Sequence, residues 1–174
     1  MCFMRIAADV MGGDGGCAVI IDGLLQALEH HDHIRTMYLV GDEETIRASL
    51  GQAGHLAPRI EVVHSPEVLS MEEKPVVGLR RKKKCSLAMA TDLVKHGQAD
   101  AVLSAGNTGG MVAAASIKLR TLPGVDRPGI ATVIPTKTSN FVLLDAGANV
   151  EGKPRHLMHY AIMGDIYARE VLGK

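Results

Sequence analysis

Leu103-Ser104-Ala105-Gly106-Asn107-Thr108-Gly109-Gly110-Met111 joins two different hydrophobic patterns. Before it runs a continuous apolar stretch, Ala99 to Leu103, which reads as a buried strand. After it, Met111 to Leu119 carries apolar residues at helical spacing. The small residues between them put the N–H groups of Gly106, Asn107, Thr108 and Gly109 at a helix start. Such a start has unpaired donors and a positive dipole end, so it suits an anion, above all a phosphate.

The strand–helix alternation continues in both directions. Arg5 to Val10, Thr36 to Val40 and Ile60 to His64 read as strands. Cys17, Ile21, Leu24, Leu25 and Leu28 mark a helix, and Glu43 to Leu50 another. Leu87, Ala90, Leu93 and Val94 mark a third, ending near Gly97. Two further strands are expected at Ile130 to Ile134 and Phe141 to Asp145. A last helix begins near Pro154, with Leu157, Tyr160, Ala161, Gly164, Ala168 and Val171 expected on one face. Alternating units with continuously apolar strands predict an α/β fold, three layers α/β/α around a mostly parallel sheet. Right-handed crossovers then bring the strand-end loops to one edge, where ligands bind.

The 174 residues suffice for one domain or a large lobe. A chain of this size buries roughly 70% of its unfolded surface. Aromatics are only 3% with no Trp, so the core is aliphatic and material for stacking bases is scarce. Lys+Arg and Asp+Glu balance at 19 each, leaving no global field to attract nucleic acid. Three scattered cysteines, Cys2, Cys17 and Cys85, form no disulfide framework or zinc pattern and suit a reducing cytoplasm. No signal segment and no membrane-length apolar run is present in the sequence.

A second glycine loop, Asp9-Val10-Met11-Gly12-Gly13-Asp14-Gly15-Gly16, closes the first strand. It reads as an anion or substrate loop through Gly12, Gly13 and Asp14, or as a plain tight turn. Gly13-x-Gly15-x-x-Ala18 with Asp42 is also a loose dinucleotide fingerprint, although Asp14 would repel a pyrophosphate. The run Arg80-Arg81-Lys82-Lys83-Lys84 is either a solvated face or a set of cations for phosphate or an acidic partner. The adjacent cations would lower the pKa of Cys85, yet no His or Asn is arranged to make it a nucleophile. Asp145-Ala146-Gly147-Ala148-Asn149 is a third strand-end loop, with Asp145 either binding a polar group or stabilising the turn.

Several stretches together resemble the phosphate acyltransferases of bacterial phospholipid synthesis. They are Ile6 to Asp14, Glu61 to His64, Met71 to Pro75, Arg80 to Ser86, Gly97 to Gly109, Pro123 to Pro128, Leu143 to Asn149 and Met163-Gly164. The resemblance runs from Met4 to the end of the chain. It implies transfer of a fatty acyl group from acyl carrier protein to inorganic phosphate, giving an acyl phosphate. It also implies a fold similar to phosphotransacetylases and isopropylmalate-type dehydrogenases, a homodimer, peripheral membrane association, and no metal or other cofactor. Cys17, Lys84 and Cys85 depart from the family pattern, where a proline, an acidic residue and a serine are usual. The chain is about half of a family member, and Gly173-Lys174 reads as an interruption.

On this basis Asn107, Lys82 and Lys83 are expected to act in catalysis. Arg80, Gly12, Gly13, Asp14, Ser104, Gly106, Thr108, Gly109, Asp145 and Asn149 are expected to bind substrate. The alternatives are a short-chain phosphotransacetylase using acyl-CoA, a nicotinamide dehydrogenase, and a non-catalytic binding or dimerisation fragment.

Overall fold

The computed structural model describes residues 3–51, 54–146 and 152–173. It divides into a first unit, Met1–Arg120, and a second, Thr121–Lys174.

Four strands form the sheet of the first unit: β1 (Met4–Asp9), β2 (Ile34–Gly41), β3 (Ile60–His64) and β4 (Ala101–Ser104). Their order is β3-β2-β1-β4, and every pairing is parallel. The chain therefore builds outward from β1 to β3, then crosses back to the other side of β1. The two sides of the sheet can be read residue by residue in β1 and β2. Ile6, Ala8, Met37 and Leu39 pack with α1 (Gly16–His30) and α2 (Glu43–Leu50). Ala7, Tyr38 and Val40 pack with Ala90, Leu93 and Val94 on the opposite side. Those three belong to the helix Ser86–Lys95. This alternation is the period of two that strand geometry imposes, and both faces are covered because the strands are apolar on both.

The Gly54–Arg59 stretch is a short 3₁₀ turn leading into β3. Its Arg59 guanidinium donates to the carbonyls of Leu28, His31 and Ile34 at 2.7–3.0 Å. It thereby satisfies acceptors at the C-terminus of α1 that the helix cannot pair itself, and one at the start of β2. At the start of β1, Arg5 makes a bidentate pair with Asp100 (2.7 and 3.1 Å). This guanidinium and the Arg5 N–H hold the Asp100 carboxyl at about 2, below its ordinary 3.8.

The sequence reading missed one helix. Residues Pro75–Arg81 form α3, followed by α4 (Ser86–Lys95) and α5 (Thr108–Lys118). Pro75 sits at the first turn of α3, where its missing N–H costs nothing. Leu69, Leu79, Leu87, Ala88 and Ala114 make a small core between these helices.

The second unit differs from expectation. β5 (Ala131–Pro135) and β6 (Asn140–Leu144) pair with each other, antiparallel, as a separate two-stranded sheet. The four residues between them form a turn, with Thr136 N–H donating to the Ser139 carbonyl at 2.8 Å. So short a link cannot make the crossover that parallel pairing needs. α6 (Pro154–Leu172) lies against β6 through Tyr160 and Gly164. Leu157 and Val171 are 64% and 61% exposed, so they do not share the packed face of Tyr160. Among the described residues, no helix is long and apolar enough to cross a membrane.

Candidate functional site

The two glycine loops meet because their strands are neighbours. Asp9 ends β1 and pairs in register with Ser104, which ends β4. This is the point where the strand order reverses, and in open α/β sheets it opens a crevice at the carboxyl ends. Beyond it the backbones of Gly12 and Gly106 touch. A Cβ built on Gly12 would lie 2.8 Å from the Gly106 Cα, and one on Gly106 would lie 2.9 Å from the Gly12 Cα. Neither position has room for a side chain. Gly13 has φ +106° and packs against the Ala105 carbonyl, a conformation that L side chains rarely adopt.

Asn107 caps α5. Its Oδ1 accepts from the Gly110 N–H at 2.8 Å, which is ordinary N-cap geometry. Its Nδ2 donates to the Met71 carbonyl at 3.1 Å, on the stretch that leads into α3. The side chain therefore holds the helix start and fastens the 70–74 segment beside it. The N–H groups of Thr108 and Gly109 have no acceptor among the described residues, and both residues are exposed. Pro75 walls one side, 3.0 Å from where a Gly109 Cβ would stand. What faces solvent is a capped helix start whose outward donors are main-chain groups.

The basic run divides into two parts. Lys82 turns inward, donating to Glu73 Oε2 at 2.7 Å and to the Val68 carbonyl at 2.8 Å. Its ammonium, with the Ser70 N–H, holds the Glu73 carboxyl below the usual carboxylate range. Lys82 thus ties the same 68–73 segment that Asn107 holds from the other side. Arg80 and Lys83 are exposed and line a cleft of about 310 Å³ with Leu79, Lys95 and Ile117. Sequence reading grouped Lys82 and Lys83, but the structure separates a structural cation from a solvent-facing one.

The remaining candidates fall in several places. Asp14 is exposed in the first loop, and no ion pair reaches it among the described residues. Asp42, the acid of the dinucleotide fingerprint, caps α2 by accepting from the Thr45 N–H and hydroxyl at 2.9 and 2.7 Å. Its carboxylate is committed to that cap, which weakens the nicotinamide alternative. Asp145 follows β6 in the second unit with φ +60°, its N–H donating to the Ile130 carbonyl at 2.8 Å. Asp tolerates this left-handed conformation better than most residues. Asn149 lies outside the described residues. Cys85 is fully buried, and burial pushes its thiol up, contrary to the lowering expected from the nearby cations. Position in sequence placed it next to charge, but folding placed it in an apolar core. Among the described residues, no three His, Cys, Asp or Glu side chains cluster as metal ligands.

Two residues that sequence reading did not single out belong to this arrangement. Asp9, only 4% exposed, accepts from the Ser104 hydroxyl at 2.8 Å and the Met11 N–H at 3.2 Å. Glu73 is the partner of Lys82. An acidic residue ending an apolar strand was the available signal for Asp9.

A family model described as "Fatty acid synthesis protein" matches residues 4–174. The chain belongs to this family. Its relatives include a phosphate acyltransferase of Akkermansia muciniphila, 49% identical over 98% of this chain and 49% of the relative. A phosphate acyltransferase of Pelotomaculum thermopropionicum is 48% identical, again over 98% of this chain and 49% of the relative. One of Erythrobacter litoralis is 43% identical over 100% of this chain and 49% of the relative. The chain thus spans about half the length of the curated relatives it matches. Among solved structures, the EutD phosphotransacetylase of Staphylococcus aureus is similar with a TM-score of 0.65. That likeness covers 95% of this chain and 53% of the phosphotransacetylase at 22% identity, and it concerns the fold. In this fatty acid synthesis family member, the α/β class with a mostly parallel sheet agrees with the sequence expectation.

Proposed function

We propose that this chain holds inorganic phosphate for acyl transfer from the thioester of an acyl carrier protein, giving an acyl phosphate for phospholipid synthesis. The observation that carries the reading is the meeting of the Gly12 and Gly106 backbones beside a capped helix start. There the N–H groups of Thr108 and Gly109 face solvent. Those donors and the helix dipole suit a phosphate. The names of the relatives support the transferred group and its acceptor.

Phosphate is itself an anionic nucleophile near neutral pH, so alignment matters more than a base. One phosphate oxygen attacks the thioester carbonyl carbon, the C–S bond breaks, and the thiolate leaves and takes a proton from water. Arg80, in the last turn of α3, and Lys83, just beyond it, are exposed and supply positive charge toward an acidic carrier surface. Lys82 and Asn107 serve by fixing the 68–74 segment and the helix start. One well-placed donor to a developing oxyanion contributes roughly 3–4 kcal/mol. Asp14 faces solvent where it can orient a polar part of the carrier's arm. A homodimer, cytoplasmic location and peripheral membrane association complete the proposal.

The test has two stages. Titration of the chain with inorganic phosphate, followed calorimetrically, should give saturable binding that Asn107→Ala weakens. Incubation with palmitoyl carrier protein and phosphate, with hydroxylamine trapping, should then yield acyl phosphate; acetyl-CoA as donor probes the short-chain alternative. Binding without turnover from either donor leaves a phosphate-holding portion. Absence of both rejects the proposal.

A further inference from the structure

Asp9 carries a carboxylate that is 4% exposed and, among the described residues, meets no Lys, Arg or His. Burying such a group is costly unless hydrogen bonds compensate. Its compensation comes from two directions. Oδ2 accepts from the Ser104 hydroxyl at 2.8 Å, and Oδ1 accepts from the Met11 N–H at 3.2 Å. One carboxylate therefore grips both glycine loops, the first through Met11 and the second through Ser104.

The Ser104 bond has a direction. A serine hydroxyl has one proton and two lone pairs. That proton points at Asp9 Oδ2, which accepts it. Ser104 Oγ then offers a lone pair to the Gly106 N–H, 3.1 Å away. The resulting chain runs from Gly106 N–H to Ser104 to Asp9, each group oriented by the next. It turns the Gly106 backbone onto Gly12, where no Cβ fits. The following residue is the cap Asn107, and then come the outward N–H groups of Thr108 and Gly109.

We propose that Asp9 is the positioning residue of the phosphate loop, acting through Ser104, and that Ser104 orients the turn rather than binding the anion itself. This rests on the phosphate reading above. A neutral pair of side chains would fill the space without burying a charge. The carboxylate is distinctive in accepting on both sides at once, which an amide cannot do.

Four variants of the chain separate the outcomes: Asp9→Asn, Ser104→Ala, the double variant, and Ser104→Thr. Each is titrated with inorganic phosphate, and the amide exchange of Gly106 and Met11 is measured by NMR. Asp9→Asn and Ser104→Ala should each weaken phosphate about tenfold, the scale of one lost charge-assisted hydrogen bond. The double variant should bind no more weakly than the poorer single one, because both act through one chain. Ser104→Thr keeps the hydroxyl and should bind within about twofold of the parent. The Gly106 amide should lose protection in Asp9→Asn and Ser104→Ala alike. Parent-like affinity in both single variants, multiplicative losses in the double variant, or unaltered Gly106 exchange would overturn the assignment. A parent chain that never binds phosphate sinks the phosphate reading instead, and the Gly106 exchange still decides whether Asp9 positions the loop. Should Asp9→Asn fail to fold, Ser104→Ala against Ser104→Thr makes the same decision.

Discussion

The two units of this chain use similar residues to different effect. The first closes a core: Ile21, Leu28, Met37, Leu39 and Ile46 are each at most 1% exposed. In the second, Tyr160 is the one buried hydrophobic residue among those described. Leu157, Met158, Ile162, Ile166 and Val171 all lie on α6 and are at least half exposed. An apolar residue stabilises only where an opposing surface exists. Four parallel strands covered on both sides supply it, whereas a two-stranded sheet and one helix supply little.

That contrast can be broken most directly by truncating leucines. Leu28→Ala in α1 removes a side chain with no exposed surface and should destabilise the chain by about 2–5 kcal/mol. Leu157→Ala in α6, 64% exposed, should change stability by no more than about 0.5 kcal/mol. Urea unfolding followed by circular dichroism measures both. Comparable losses would mean that the second unit hides an apolar core of its own.

The next effect sharpens the comparison from the polar side. Arg59 closes the first unit by serving three carbonyls of α1 and its exit. Arg59→Leu keeps much of the bulk and leaves those acceptors unmet, so a loss of about 1.5–3 kcal/mol is expected. Arg155, in the second unit, pairs with Asp126 and is 62% exposed. Arg155→Leu should be nearly silent in the same unfolding assay.

At the site itself, Gly106→Ala drives a methyl into the Gly12 backbone at 2.9 Å. Neither chain segment can yield by rotating a side chain, so about 1–3 kcal/mol should be lost. Gly152→Ala, with nothing within 4 Å of the added methyl, is the control in the other unit. A tolerated Gly106→Ala, with phosphate binding intact, would show that the loops need not touch.

How far the sequence foretold this depends on the range of the interactions. The strands β1 to β4 and helices α1, α2, α4 and α5 were legible because their apolar periods are local. So was the placing of both glycine loops at one sheet edge, which follows from crossover handedness. Helix α3 was not: its seven residues include a proline and a glycine, and its packing depends on Leu69 meeting Gly78 and Gly110. The antiparallel β5–β6 pairing was not legible, because apolar runs show that a strand is buried, not which strand it pairs with. In the site, residue types found the right loops but not the right atoms. Nothing local reveals that Lys82 turns to Glu73, that Asn107 spends its side chain on Gly110 and Met71, or that Asp9 lies beneath Ser104. Apart from the Asn107–Gly110 cap, those contacts join residues 9 to 95 positions apart.

The smallest expected effect distinguishes the units by acid. Burial, aided by Arg127, pushes the His156 imidazole of α6 down from its ordinary 6.5, while Asp126 opposes the shift. The unfolded chain then binds the proton more readily than the folded one. The stability contributed by neutral His156 is complete above pH 6.5 and is lost as pH falls below that value. In the first unit the Asp100 carboxyl is held at about 2 by Arg5. Its contribution is complete above 3.8 and is lost only as pH falls from there toward 2. Acidification should therefore loosen α6 before it reaches the Arg5–Asp100 pair. Amide exchange, corrected for intrinsic rates, should show Tyr160 losing protection between pH 7 and 5 while Ala7 keeps its own. His156→Gln should remove the first step, and Asp100→Asn the second. If α6 and β1 lose protection together, the two units unfold as one and the contrast between them fails.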